Sequence, residues 1–119
     1  MPQITVDYSA ELADGFDRPG FARALHEATV EIAGARQPAC KTLFRPAEDT
    51  VVGPDGDGHA IVHVRVGLLA GRTEEAKATL AEAALELLRR HLKPREGVTL
   101  HASAEVEDLD ASYRKFDSE

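Results

Sequence analysis

The residue whose type first suggests chemistry is Pro2, directly after the initiator methionine. Its side chain is small, so removal of Met1 is expected, and removal leaves a secondary amine at the start of the chain. An ordinary α-amino group titrates at about 7.7–8.0. Burial and nearby cations disfavour the charged form of an amine and lower that value. A buried terminal proline flanked by Arg or Lys is then neutral at pH 7 and serves as a general base. With Met1 in place the same nitrogen is an amide and has no basicity. Met-Pro starts are common, so taken alone Pro2 also reads as an ordinary first residue.

Three cations are candidates to stand beside it. Arg72 falls between an expected strand and an expected helix, a junction where α/β sheets gather ligands. Its guanidinium can hold a carboxylate through two parallel hydrogen bonds. Lys41 and Arg45 lie at the start of the segment expected to pair as the second strand. Each of the three, alone, also reads as a solvated surface charge. Other chemistry-bearing residues are weaker. His59 and His63 are four apart, a helical ligand spacing that on a strand separates them by about 13 Å, so no metal is expected. His63 and His101 are expected to face each other across a sheet. The Asp55-Gly-Asp57-Gly loop lacks the third acid and closing Glu of a calcium loop and reads as a turn. Cys40 is the single cysteine, which excludes an internal disulfide and a multi-cysteine zinc site. There is no Gly-rich phosphate signature and no Ser/His/Asp order, and no cofactor is expected.

The elements that must position these residues follow from periodicity. Residues 2–8 alternate, with Ile4, Val6 and Tyr8 on one side, as in a half-buried strand. Residues 9–16 read as a connection. Asp17 caps a helix with Pro19 in its first turn. Phe21, Leu25, Ala28 and Ile32 form its apolar face, and Gly34 stops it. Residues 42–44 and 50–52 are expected as strand around Pro46. Alternation returns with Ala60, Val62, Val64, Val66 and Leu68. Thr73 caps a second helix, with Glu74 and Glu75 at its positive end and Arg89, Arg90 and Lys93 at its negative end. Leu80, Ala84, Leu87 and Leu88 are its apolar face, and Pro94 and Gly97 end it. Val98 to Val106 alternate again, and a charged tail carries Tyr113 and Phe116.

The order is strand, helix, strand, twice over, in residues 2–52 and 60–108, with residues 109–119 as the tail. This predicts a single α/β (α+β) domain over 1–119. Two right-handed βαβ units form a four-stranded, mainly parallel sheet with both helices on one face. The other face carries Thr5, His63, Arg65, Thr99, His101, Ser103 and Glu105. A largely parallel sheet is normally covered on both faces. Coverage by further copies of the chain is expected, as a closed homo-oligomer; the alternative is a wet face on a monomer.

Composition narrows the partners. The chain has 119 residues, 14 Lys and Arg, 21 Asp and Glu, and a formal net charge of −7. That balance argues against nucleic acid, which needs a basic face, and against an anionic membrane surface. No run of 18 apolar residues and no signal peptide are present, so a cytoplasmic protein is expected. With no Trp, two Tyr and four Phe, the core must be built mostly of Leu, Val, Ile and Ala. The domain is too small for a two-domain cleft, so an active site is expected to be built between chains.

Together these features resemble the tautomerase superfamily. The resemblance rests on the opening Pro2-Gln-Ile-Thr-Val-Asp-Tyr-Ser9, the two βαβ halves and the Ala70-Gly71-Arg72-Thr73 turn. The segment Ala60-Ile-Val-His63-Val, with Arg72 nine residues after His63, is similar to the 5-carboxymethyl-2-hydroxymuconate isomerase subgroup. The likeness runs from residue 2 to about residue 109. It implies a homotrimer whose three active sites each lie near an N-terminal proline and are completed by a neighbour. It also implies a cofactor-free isomerase of homoprotocatechuate catabolism, acting on a small anionic unsaturated acid. On that reading Pro2 moves the proton and Arg72 holds a substrate carboxylate. Lys41 and Leu43 stand where the subgroup suggests arginine, and lysine is not a planar fork; Arg45 is the candidate to compensate. Neutral Pro2 would take the 2-hydroxyl proton of a dienol, Arg72 and Lys41 would stabilise the dienolate, and prolinium would return the proton at carbon 5. Local cations must then outweigh the global charge within a Debye length of about 8 Å. Two alternatives remain beside this reading. One is a decarboxylase or hydratase of the same superfamily acting on another small unsaturated acid. The other is a non-catalytic trimeric binding module.

Overall fold

The computed structural model describes residues 1–118. Strand β1 (Gln3–Ser9) leads through a short 3-10 segment (Ala10–Gly15) to helix α1 (Arg18–Ala33) and strand β2 (Lys41–Ala47). Strand β3 (His59–Leu68), helix α2 (Glu74–His91) and strand β4 (Thr99–Asp108) repeat the plan. The sheet order is β2-β1-β3-β4. β1 pairs parallel with β2, and β3 parallel with β4. The two halves meet along an antiparallel β1–β3 seam with Val6 opposite Val64. The expected mainly parallel four-stranded sheet is therefore present, with its one antiparallel pairing at the centre.

Both helices cover one face. Ile4, Val6 and Tyr8 of β1 and Val62, Val64 and Val66 of β3 are buried against Phe21 and Leu25 of α1 and Leu80, Ala84 and Leu88 of α2. Both helix starts and the end of α1 are those the sequence predicts, whereas α2 stops at His91, before Lys93 and Pro94. The Asp17 carboxylate accepts a 3.1 Å hydrogen bond from the Gly20 N–H. Gly34 closes α1 at φ 71°, and its N–H donates to the Val30 carbonyl at 3.0 Å. That left-handed turn is costly for any residue with a Cβ. Thr73 Oγ1 accepts from the Ala76 N–H at 3.0 Å. His26 of α1 shares a 2.8 Å hydrogen bond with Thr42, tying the helix to β2.

Three details differ from the sequence reading. Residues 50–52 are not strand: β2 runs through Pro46 to Ala47 and stops, and Val52 makes only an isolated bridge with Asp55. An edge strand tolerates the proline. Residues 10–15 form a 3-10 turn that buries Leu12, rather than an open connection. His63 and His101 do not face each other. The β3–β4 register sets His63 opposite Ser103 and His101 opposite Ile61. His59 instead shares a 3.0 Å hydrogen bond with His101. His63 bonds to Ser103 Oγ and to Glu105 Oε2, each at 2.7 Å.

The uncovered face is polar, as the alternation predicts. Arg45 pairs with Asp7, and Arg65 reaches both Glu105 and Glu107 at 3.4 Å. Leu43 on the same face is 68% exposed, an apolar side chain among the charges. On the helix side, α2 leaves the first half of β4 uncovered, so Leu100 is 42% exposed. An apolar cleft of about 480 Å³ there is lined by Leu85, Leu88, Leu92, Val98 and Leu100, among others. No helix among the described residues is long and apolar enough to cross a membrane.

The tail turns back over the end of the sheet. The Leu109 N–H donates to the Leu68 carbonyl at 2.6 Å. Its side chain lies where a Cβ on Gly67 would fall, 2.7 Å from Leu109 Cδ2. This glycine is where tail and strand approach.

Phe21 has no solvent exposure and touches both Phe16 and Phe44. Phe21→Ala is expected to destabilise the fold by about 3–5 kcal/mol, read as a lower urea midpoint with an unchanged slope.

Candidate active site

Pro2 enters the sheet at its interior. The Lys41 N–H donates to the Pro2 carbonyl at 3.3 Å, which opens the β1–β2 ladder. The Pro2 side chain is fully buried, and Met1 above it is half-buried. The terminal amine carried by Met1 is held below its ordinary pKa of 8.0. Burial is the main cause; the positive charges of Arg72, Lys41 and Lys115 add to it, against an opposing contribution from Cys40. A cavity of about 260 Å³ opens on Met1, lined by Arg36, Pro38, Ala39, Lys41, Lys115 and Asp117.

Arg72 is held from behind. Its Nε donates to the Ala33 carbonyl at 2.9 Å and its Nη1 to the Leu69 carbonyl at 3.1 Å. The first acceptor is the C-terminal end of α1, the negative pole of that helix, which suits a cation. These bonds use two of the five N–H donors of a guanidinium. Lys41 is exposed at the start of β2, and its Nζ donates to the Ala39 carbonyl at 3.1 Å.

The structure therefore brings Pro2, Arg72 and Lys41 to one end of the sheet, and leaves Arg45 apart. Arg45 lies four residues further along β2, about 13 Å at strand spacing. There its guanidinium is bound at both ends by Asp7, at 2.8 and 3.0 Å. That pairing holds the Asp7 carboxyl below its usual range. Cys40 is buried, and burial pushes its thiol up, away from the thiolate a nucleophile needs. Among the described residues no cluster of His, Cys, Asp and Glu suits a metal.

Sequence reading missed Arg36, Lys115 and Asp117. Arg36 precedes a short 3-10 turn (Gln37–Ala39) with no periodic pattern to place it. Lys115 and Asp117 come from the tail, whose return across the sheet depends on the Leu109–Gly67 contact. The available signal was Gly67 itself, a glycine inside a strand, which marks a close approach. What results is an amine kept neutral more readily than usual, facing a small cavity rich in cations. Such an arrangement can move a proton on a bound anion.

The model of the family 5-carboxymethyl-2-hydroxymuconate isomerase matches residues 2–117. No curated protein matches the chain. Among solved structures, a 5-carboxymethyl-2-hydroxymuconate delta-isomerase is similar, with a TM-score of 0.79 at 18% identity, over 99% of this chain and 89% of that one. A 5-carboxymethyl-2-hydroxymuconate isomerase from Deinococcus radiodurans R1 gives 0.78 at 18% identity, over 98% and 90%. A fused 4-OT wild-type symmetric trimer gives 0.69 at 22% identity, over 90% and 85%. At these identities the three structures establish the shared fold.

Arg72 is the foremost of the charges that depress the terminal amine. Arg72→Ala is expected to raise the pKa of that amine, measured by following its nitrogen NMR shift against pH. An unchanged titration would leave burial and the two lysines as the causes.

Proposed function

The chain belongs to the 5-carboxymethyl-2-hydroxymuconate isomerase family of the tautomerase superfamily, and from its membership of that family of isomerases we propose a specific proton transfer. The substrate is a 2-hydroxymuconate-type unsaturated acid, the base is the amine of Pro2 after loss of Met1, and the setting is homoprotocatechuate catabolism in the cytoplasm. The observation that carries the reading is the depressed terminal amine at the mouth of a cation-lined cavity. Loss of Met1 moves the amine one residue, about 3.8 Å, inward. The Pro2 side chain is fully buried with Met1 in place, and an amine that stays desolvated there is pushed further toward its neutral form.

The steps follow from these groups. Neutral Pro2 nitrogen takes the proton from the 2-hydroxyl of the bound dienol. The electron pair moves through the diene as the 2-oxo group forms. Arg72 and Lys41 hold the anionic substrate and its dienolate by charge-assisted hydrogen bonds. The prolinium N–H then delivers the same proton to carbon 5. One proton has moved, no other reactant is consumed, and the amine is neutral again. The same cations thus bind the anion and keep its base unprotonated.

We further propose that the working form is a homotrimer. The polar, uncovered sheet face supports this, with Leu43 exposed among its charges. The symmetric trimer of similar fold supports it too. Equilibrium sedimentation measures it directly.

Intact mass is expected to show a chain lacking Met1 and beginning at Pro2. Isomerisation of 5-carboxymethyl-2-hydroxymuconate, followed by ultraviolet absorbance, is expected to fall by about 100-fold or more in Pro2→Ala, the usual contribution of a positioned base. A loss of about tenfold or less would remove Pro2 from the base role, and turnover of 3-haloacrylates instead would redirect the reaction class. A protonated amine cannot accept a proton, so kcat/KM is lost as pH falls through the amine pKa. The midpoint of that acidic limb reads the pKa of the Pro2 amine, which burial and the nearby Arg72 and Lys41 are expected to lower.

A further inference from the structure

The cleft between α2 and the first half of β4 takes no part in the proton transfer. At about 480 Å³ it is larger than the cavity of about 260 Å³ beside Met1. Within one chain it lies toward the far end of the sheet from Pro2. β4 starts opposite His59, and β3 runs antiparallel to β1, reaching Gln3 only at Gly67. The walls of the cleft are aliphatic. Leu12, Leu88 and Leu92 are buried side chains that line it, and Leu85 joins them from α2. Val98, Leu100 and Ala102 line the β4 side, where Leu100 is 42% exposed. Contiguous apolar surface rimmed by polar groups marks a binding groove.

The charged residues of this lining are all of one sign. They are Arg89, Lys93 and Arg95, with no acid among the described residues, in a chain whose net charge is −7. Arg89 contacts Glu86 at 3.3 Å in an exposed pair, of a kind that contributes little. No carboxylate pairs with Lys93 among the described residues. The C-terminal end of α2 brings about half a negative charge to this region, and three full positive charges outweigh it. The backbone around the cleft is fixed. The Lys93 N–H donates to the Gly15 carbonyl at 2.9 Å, the Val98 N–H to the Arg95 carbonyl at 3.1 Å and the Thr99 N–H to the Gly58 carbonyl at 2.9 Å. The Arg95 guanidinium donates to the Glu11 carbonyl.

We propose that this cleft binds a medium-chain alkyl carboxylate, with its tail between α2 and β4 and its carboxylate on Lys93 and Arg89. The volume lies within the usual range of small-molecule sites. No aromatic side chain lines the cleft to stack on a ring, so an alkyl tail is the complement of its walls. All three cations come from residues 89–95, around the end of α2, so the charge is gathered at one end. That suits one carboxylate. A second would lie unpaired among leucines, at the cost of its desolvation, so the ligand differs in class from a muconate-type diacid. In the homotrimer proposed above the copies meet through the polar sheet face, and the cleft is on the helix side.

Calorimetric titration of the whole chain with octanoate tests this, with butanoate and octylammonium as comparison probes. Octanoate is expected to bind about tenfold or more tightly than butanoate, whose tail is four methylenes shorter. It is expected to exceed octylammonium, which has the opposite charge, by about tenfold or more. Backbone amide NMR signals of Leu92, Lys93 and Leu100 are expected to shift with octanoate, and those of Lys41 and Arg72 to stay. Lys93→Glu and Leu100→Asp replace exposed side chains. Each is expected to weaken octanoate binding about tenfold or more with an unchanged circular dichroism spectrum, and Lys93→Arg to retain it. Shifts confined to Lys41 and Arg72 would put the ligand in the N-terminal cavity and overturn the proposal. So would equal binding of octanoate and butanoate, or binding that survives both Lys93→Glu and Leu100→Asp. Absence of octanoate binding also overturns it, as when a neighbouring copy fills the cleft, which a change in sedimentation mass with Leu100→Asp would reveal. None of these outcomes depends on the role of Pro2.

Discussion

β1 lies inside the sheet, hydrogen-bonded to β2 on one side and β3 on the other. The first residues of most domains are poorly ordered unless something ties them down. Here the ladder begins at Pro2 itself, which ties that residue into the sheet. Everything at that end depends on this double pairing. It buries Pro2, sets the first residue of β2 alongside, and brings the β3–α2 loop within electrostatic reach of the amine. A terminus free to fray would be solvated, and its amine would titrate normally.

The second requirement is positive charge in an acidic protein. Arg72 meets it through the carbonyl end of α1, which orients the guanidinium. Lys41 meets it through strand register, since its partner in β1 is Gln3. Lys115 meets it through a tail folded over a glycine. Three independent parts of the chain are thus spent on one small volume. On the sheet face two positive charges are paired off, Arg45 by Asp7 and Arg65 by Glu105 and Glu107.

Much of this was readable beforehand, and the limits have physical causes. Alternation placed β1, β3 and β4 and told the two faces apart, because the side-chain period of a strand is intrinsic to it. The caps at Asp17, Gly34 and Thr73 were readable because they satisfy backbone groups locally. Pro2, Arg72 and Lys41 came together because they sit at element ends that the βαβ plan makes neighbours. Register is a different matter. Nothing local to β3 or β4 says that His63 meets Ser103 rather than His101, so the histidine pairing was misjudged. Arg45 was expected beside Lys41 at the start of the second strand, and the register sets it four residues further along, opposite Asp7. The contribution of the tail depends on one long-range contact and has no period at all.

The order of the sheet leaves β2 and β4 as its two edges. β2 carries Lys41 and Arg45 and no acid, whereas β4 carries Glu105, Glu107 and Asp108 and neither Lys nor Arg. An unpaired edge is a template for another strand, and these two edges have opposite sign. Within the chain Asp7 meets Arg45 and Arg65 meets Glu105 and Glu107, so what stays unlike is Lys41 at one edge and an excess of carboxylates at the other. The molecule therefore has a polarity, a basic head and an acidic flank. Contacts made head to flank repeat by rotation, and they either close into a ring or run on as a filament.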